Sequence, residues 1–338
     1  MTIRPGEPPE SGRHPHDFVG TVPDRLDPHV VRELSRIDRS RVVVAIATEW
    51  TIIAATIALA LNVSAWPVQL LAIVLIGARQ HAITVIAHDA SHFRLWPGRT
   101  LNDWIGNLFL AWPMFISVQG FRYFHGNHHR FLQGDQDGNR RLWHTHDAEG
   151  RLTWEWTYPK SPAQLVLVLV RRVVMGTGIF WLLRGLVGVF LFGASAVDQI
   201  ARMGFWLSVT LILTVVGGWS SFALYWVVPY CTWHIVAQYM RLICEHSAVR
   251  SDEPAYAQTR STIPGWLGRF FVLPRNIGYH LEHHWYPSVP FYRLPELHAR
   301  LASLPDYRAH ACCSRSLIES LRQCTTLDTA GDLYVRRS

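Results

Sequence analysis

Two stretches of the chain carry almost no charge. Val42 to Ala78 holds one carboxylate, Glu49, and Met203 to Met240 holds no Asp, Glu, Lys or Arg. Each is nearly twice the roughly 20 residues that a helix needs to cross a bilayer. Turn-forming residues interrupt each near its middle, NVSAWP at 62–67 and VGGWSS at 216–221. The pattern predicts two helical hairpins, with spans at about 42–62, 67–87, 203–217 and 220–240. Backbone facing lipid must satisfy its own hydrogen bonds, so the expected fold class is an all-α integral membrane protein. Two further apolar runs are less regular. WIGNLFLAWPMFISVQG (104–120) is short and contains Pro113, and the run 173–197 has Arg184 in its middle. A charge at mid-membrane costs a few kcal/mol. Both runs are therefore read as helices lying along the membrane surface, at about 104–119 and 173–197.

The basic residues orient this arrangement. Every Lys and Arg falls before residue 42, between 79 and 202, or after 240. With two hairpins, all of those segments share one side, which the positive-inside rule makes cytoplasmic. The picture is four transmembrane helices in two hairpins beneath a cytosolic helical cap. A flexible cytosolic tail is expected over 1–40, the membrane domain over 41–300 and a cytosolic C-terminal tail over 301–338. Composition agrees with a membrane. The 338 residues are 49% hydrophobic and 17% charged, against a usual charged share of about 25%. The 15 Trp suit an interfacial belt. The net charge of +7 fits an anionic membrane face better than nucleic acid, given the apolar runs. Five cysteines without a CxxC pair give no disulfide framework.

The chemistry lies in the histidines. HDASH places His88 and His92 at i, i+4, HGNHH places His125, His128 and His129 at i, i+3, i+4, and HLEHH repeats that spacing with His280, His283 and His284. These offsets put side chains on one helical face, about 5–6 Å apart. A pair on one face can grip one metal while the third ring reaches another. His246, in CEH, follows the fourth predicted span. Nine imidazoles exceed the four that close a zinc site and suit two metals of four or five protein ligands each. Imidazole accepts Fe, Zn, Cu and Ni, so the donors alone leave the metal open. All nine share a side only if the number of crossings between residues 92 and 246 is even, a second reason to keep 173–197 at the surface. His81, seven residues before His88 and on roughly the same face, reads as a supporting or structural residue. The scattered His14, His16, His29, His144, His146, His298 and His310 read as ordinary surface or core residues. Asp89 and Glu282 inside the boxes, and Glu245 beside His246, are placed to accept hydrogen bonds from ring N–H groups.

These boxes, with GYHLEHHWYPSVPFYRLPELH over 278–298, resemble the membrane-bound fatty acid desaturase superfamily across about residues 40–300. The resemblance implies a non-haem centre of two Fe ions at the cytosolic face and O2-dependent attack on an unactivated C–H bond. By position it makes His88, His92, His125, His128, His129, His246, His280, His283 and His284 the ligands. GDQD (134–137) is similar to an acidic stretch found in relatives, so Asp135 and Asp137 read either as partners of the imidazoles or as loop caps. An asparagine that acts through water in some relatives has no match, since position 242 is Leu.

Removing hydrogen from a methylene needs a redox metal, because side chains supply no such oxidant. Electrons are expected from a separate carrier of ferredoxin or cytochrome type, and a basic cytosolic face would attract an acidic one. The substrate expected is a membrane lipid or acyl chain, with desaturation as the first reading. Hydroxylation or ketone formation on a lipid, terpenoid or amino-acid-derived substrate is the runner-up. A histidine-rich metal transporter is the alternative from another class, but it would place its ligands at mid-membrane.

Overall fold

The computed structural model describes residues 26–325, apart from 144–148, 150, 175, 192–194, 250, 252 and 254. The N-terminal stretch 1–25, the C-terminal stretch 326–338 and His14, His16, His144 and His146 lie outside the described residues. After a short α1 (Pro28–Leu34), α2 (Arg39–Asn62) and α3 (Trp66–Ser91) form the first hairpin and pack along each other. Its turn is as expected: Pro67 sits in the first turn of α3, where its missing N–H costs nothing. The Gln69 side chain closes the loop by donating to the carbonyls of Ala60 and Val63. α9 (Ala196–Val215) follows later in the chain. Among the described residues, α2, α3 and α9 are the three regular helices long and apolar enough to cross a membrane. α9 leaves Val197, Ile200, Leu207, Leu211 and Val215 more than half exposed. Such an apolar skin belongs in lipid. The protein is a mostly helical membrane protein.

The fourth predicted span is helical without a break from Trp219 to His246, but it is not a regular α-helix. It begins as α10 (Trp219–Phe222), widens into π-turns at Ala223–Val227 and Tyr230–His234, and ends as the regular α11 (Ile235–His246). Pro229 lies between the two π-turns, and a proline ring clashes with the carbonyl one turn earlier, so local widening is the expected response. A neighbouring span meets one carbonyl there: Gln80 Nε2 donates to Trp226 O at 2.9 Å. A Cβ on Gly77 would lie 2.7 Å from Trp233 Cβ, so glycine permits α3 to cross this segment closely.

The two surface helices differ from expectation. The run 104–119 divides into α4 (Arg99–Gly106), a π-turn (Asn107–Ala111) and a 3₁₀ turn (Trp112–Met114), which stop at Phe115 with φ 60°. α5 (Val118–Arg130) then starts afresh behind its cap Ser117. Pro113 and the left-handed Phe115 explain the interruption. The run 173–197 touches three helices, because α7 (Pro162–Val174) ends before Gly176 at φ +70°, α8 (Thr177–Leu191) follows, and α9 begins at Ala196. α7 and α8 meet at a 46° bend and reach the length of a span only when joined. The expected span starting at 203 begins instead at Ala196. Its first turns absorb Asp198 and Arg202, whose Nη2 donates to Gly188 O at 2.7 Å.

The expected tails are partly folded. Leu34 of α1 is buried with Leu294, Leu297 and Leu301 of α14 (Leu294–Leu301), whose 3- and 4-residue spacing makes one apolar face. Beyond residue 301, Tyr307 joins the same cluster. Cys313–Ser314 pairs in parallel with Ser261–Thr262, and the helix Leu317–Gln323 packs against α11. Polarity suggested mobility, but these few apolar side chains are enough to dock the segments.

Glu49, the lone charge of the first apolar stretch, is 1% exposed. Arg79 Nη1 meets its Oε2 at 3.1 Å and Arg275 Nη2 its Oε1 at 2.6 Å. Arg275 and Asn276 take left-handed backbone, at φ 53° and 59°, in the loop that leads into the third histidine box. The triad thus ties that loop to both helices of the first hairpin. Glu49→Ala would strand two guanidinium groups and is expected to cost roughly 3–5 kcal/mol. Glu296→Ala, at the exposed Arg293 pair, is expected to cost under about 1 kcal/mol. Thermal melts in detergent should therefore separate the two variants widely, and equal shifts would contradict the triad's role.

Candidate metal centre

Each histidine box sits at a helix end or within a short helix. His88 lies in the last turn of α3 and His92 is its C-cap residue, with ring centroids 5.1 Å apart. His125, His128 and His129 occupy the last two turns of α5, and His246 ends α11. His280, His283 and His284 make up half of α13 (His280–Trp285).

The structure brings all nine together, in two groups. His88, His92, His125, His129 and His283 form one, and His128, His246, His280 and His284 the other. Within each, one ring nitrogen per residue lies within 4.8 Å of the others. All nine are buried. The division follows helix geometry. In the second and third boxes the i and i+4 rings share a group, while the i+3 ring turns to the other.

The second helix is fixed to the first by Arg122, one turn before His125. Its guanidinium donates to Ser91 O at 2.8 Å and Ala90 O at 3.1 Å and pairs with Asp103 at 2.5 Å. Arg260 does the same for α11, donating to the carbonyls of Cys244, Ser247 and Ala248 around His246. Phe291 N donates to Asp89 Oδ2 at 2.8 Å, tying the C-terminal segment to α3.

Several Nδ1 atoms face oxygen acceptors. His128 Nδ1 is 2.8 Å from Asp137 Oδ1 and His246 Nδ1 is 3.1 Å from Gln258 O. His280 Nδ1 is 3.3 Å from Glu245 Oε1, and His88 Nδ1 is 3.4 Å from Asp89 Oδ1. Burial alone would raise the Asp137 pKa. The His128 ring and the hydrogen bond from Gln133 N outweigh it and hold the carboxyl at about 2, so Asp137 is ionised and His128 Nδ1 donates. Burial first, and then the neighbouring imidazoles, hold His125, His280, His283 and His284 well below the usual histidine range, so these rings are neutral. A neutral imidazole whose Nδ1 carries the proton has its lone pair on Nε2.

Those Nε2 atoms converge. His129 Nε2 lies 2.9 Å from His125 Nε2 and 3.1 Å from His283 Nε2. In the other group, His280 Nε2 lies 2.9 Å from His246 Nε2 and 3.1 Å from His284 Nε2. The buried Nε2 atoms of His88 and His128 have no hydrogen-bond partner among the described residues. Ring nitrogens that converge in a buried interior suit a cation between them. All five cysteines are free thiols outside both groups, so the donors are nitrogen alone.

The supporting carboxylates divide. Asp137 holds the His128 ring, and Glu245 pairs with Arg241 at 2.5 Å with its Oε1 3.3 Å from His280 Nδ1, while the Asp135 carboxylate is 95% exposed and meets Arg140 at 3.5 Å. Glu282 touches none of the nine rings. It accepts from Ser261 Oγ and the Tyr307 hydroxyl and pairs with His298, so its expected role beside the boxes is replaced by bracing of α13. His298 is accordingly not a bland surface residue. His81 lies two turns below His88 and faces His234, with ring centroids 6.0 Å apart, rather than supporting either group. Sequence reasoning missed Arg122, Arg260, His298 and Tyr307. Only Arg122 carried a local signal, its position one turn before His125.

Comparison with known proteins agrees with this geometry. The family described as Fatty acid desaturase matches residues 64–315. The dihydrorhizobitoxine desaturase of Bradyrhizobium elkanii is 30% identical over 259 residues, covering 74% of this chain and 72% of that protein. The human sphingolipid delta(4)-desaturase/C4-monooxygenase DES2 is 25% identical over 267 residues, covering 75% and 71%. A putative sphingolipid delta(4)-desaturase/C4-monooxygenase of Caenorhabditis elegans is 24% identical over 255 residues, covering 73% and 61%. The chain is an oxidoreductase and belongs to the fatty acid desaturase family.

Proposed function

We propose that the two histidine groups each hold one iron and that the protein is an O2-dependent membrane oxidase that desaturates a lipid-like chain. The observation that carries this reading is the double convergence of buried imidazole nitrogens, from five residues in one group and four in the other. Two bound irons would supply the oxidising power to take hydrogen from an unactivated C–H bond, which no side chain can provide.

The residues of the chain do the rest. Asp137 and the Gln258 carbonyl hold the Nδ1 protons of His128 and His246 and so keep those Nε2 lone pairs aimed inward. The Asp137 carboxylate also offsets part of the cationic charge that neutral imidazoles leave uncompensated. Arg122 and Arg260 lock the helix ends that carry the rings. Phe121, stacked on His125 with centroids 5.4 Å apart, limits that ring's rotation. Burial of all nine rings excludes bulk water from the centre.

In the bilayer, α2 with α3 and α9 with the helical run 219–246 make two hairpins, and both histidine groups lie beyond the same ends. α7 and α8 then run along the surface, and the distribution of Lys and Arg makes that surface cytoplasmic. Histidine groups at the span ends rather than at mid-membrane argue for oxidation over metal transport. Electrons come from a separate acidic carrier of ferredoxin or cytochrome type.

The relatives' names point to two substrates, dihydrorhizobitoxine and a sphingolipid, and of these the sphingolipid matches the lipid-like chain proposed. The words desaturase and C4-monooxygenase, joined in one name, favour hydroxylation as the second reading. Lipid profiling of a host that expresses the protein, beside a His128→Ala control, distinguishes the outcomes. Loss of two hydrogens marks desaturation and gain of one oxygen marks hydroxylation. Profiles identical to the control would contradict a lipid substrate. Asp137→Asn is expected to weaken iron binding roughly 10–100-fold. Asp135→Asn should leave it unchanged, as read by equilibrium competition with a chelator.

A further inference from the structure

The run PGWLGRFFVL (264–273) lies outside every predicted span and carries a single charge, Arg269. Ten apolar residues are too few to cross a bilayer, but a run of that length suits a core segment or one that re-enters a single leaflet. It folds as α12 (Trp266–Phe271), between the fourth predicted span and the third histidine box. Its inner side is held by two spans. The Phe270 ring lies 3.7 Å from the Arg79 guanidinium of α3, and its carbonyl accepts from Arg79. Trp233 Nε1 donates to Phe271 O at 3.2 Å, and Val272 and Leu273 are buried with Val85 of α3. The outer side carries Trp266, 75% exposed, and Leu267, 53% exposed.

These contacts fix the height of α12. Exposed Trp66 and Trp219 start α3 and the fourth span at the far interface, where tryptophan belts sit. At 1.5 Å per residue, Arg79 stands about 20 Å from Trp66, and Trp233 about the same distance from Trp219. Both heights lie within a hydrocarbon core roughly 30 Å thick. α2 gives an independent measure. Its exposed apolar side chains run from Leu61 and Leu59 up to Val44 and Val43, a band of about 27 Å. Glu49, which pairs with Arg79, lies inside that band. The exposed side of α12 is thus level with the lipid-facing skin of the first hairpin. The Arg269 guanidinium hydrogen-bonds the Tyr279 side chain, next to the third box, so the one charge of the run turns toward the polar half.

We infer that α12 re-enters the cytoplasmic leaflet, with Trp266 and Leu267 packed among phospholipid acyl chains. The inference rests on the proposed hairpin arrangement and not on the iron pair. The bilayer then holds one end of the segment whose other end is the third histidine box.

Photocrosslinking tests this. Trp266, Leu211 and Asp135 are replaced, one at a time, by benzoylphenylalanine in the full-length protein, reconstituted in phosphatidylcholine liposomes. Leu211 lies on the exposed apolar side of α9, and the Asp135 carboxylate is 95% exposed on the polar half. After irradiation, intact mass spectrometry should show one added phospholipid at positions 266 and 211 in comparable yield, and none at 135. An adduct at 211 without one at 266 overturns this inference alone. Adducts at none of the three overturn the hairpin arrangement with it. An adduct at 135 matching that at 266 also overturns the inference, because the two heights would then be the same.

Discussion

Imidazole nitrogens do not crowd one another without reason. Here Nε2 atoms from distant parts of the chain lie 2.9–3.1 Å apart in a buried interior. In water such rings would separate or protonate. Here oxygens hold the Nδ1 atoms of His128 and His246, and burial makes added charge costly. A cation suits such a convergence, and much of the architecture serves to keep it in place.

That support comes from distant parts of the chain. Glu49, deep in α2, holds Arg275 just ahead of the third box. Arg122 and Arg260 donate to the carbonyls of the helices that carry His88, His92 and His246. Glu282, Ser261, His298 and Tyr307 brace α13 from behind. Gly77 allows α3 to pass close to the π-turns around Pro229, and Gln80 meets the Trp226 carbonyl there. A membrane half built from helices thus fixes the heights of the histidine-bearing ends, and a polar half fixes their rotation.

Much of this was legible before any coordinates. The turn of the first hairpin could be read from Asn62–Pro67, and the break after α9 from Gly217–Gly218, because charge-free helices have few places to stop. The i, i+3, i+4 spacing indicated that a pair of rings and a third ring could serve two groups, and the structure divides them as i with i+4 against i+3. What was not legible depended on tertiary context. Glu282 lies inside a box yet faces away from the metal groups, because α13 turns it toward Tyr307. Asp135 and Asp137, two residues apart, meet solvent and His128 respectively, a choice made by the loop rather than by residue type. The segments near both ends looked polar and free, yet Leu34 and Tyr307 dock them. Pro113 and Gly176 broke two surface helices that hydropathy alone had joined.

The central claim is that neutral imidazoles hold the metals. X-ray absorption at the iron edge of the purified, iron-loaded protein tests it directly. The account predicts a nearest shell dominated by nitrogen at imidazole distances, with the multiple scattering of several rings per iron and no sulfur. A shell dominated by carboxylate oxygen or by sulfur would contradict it.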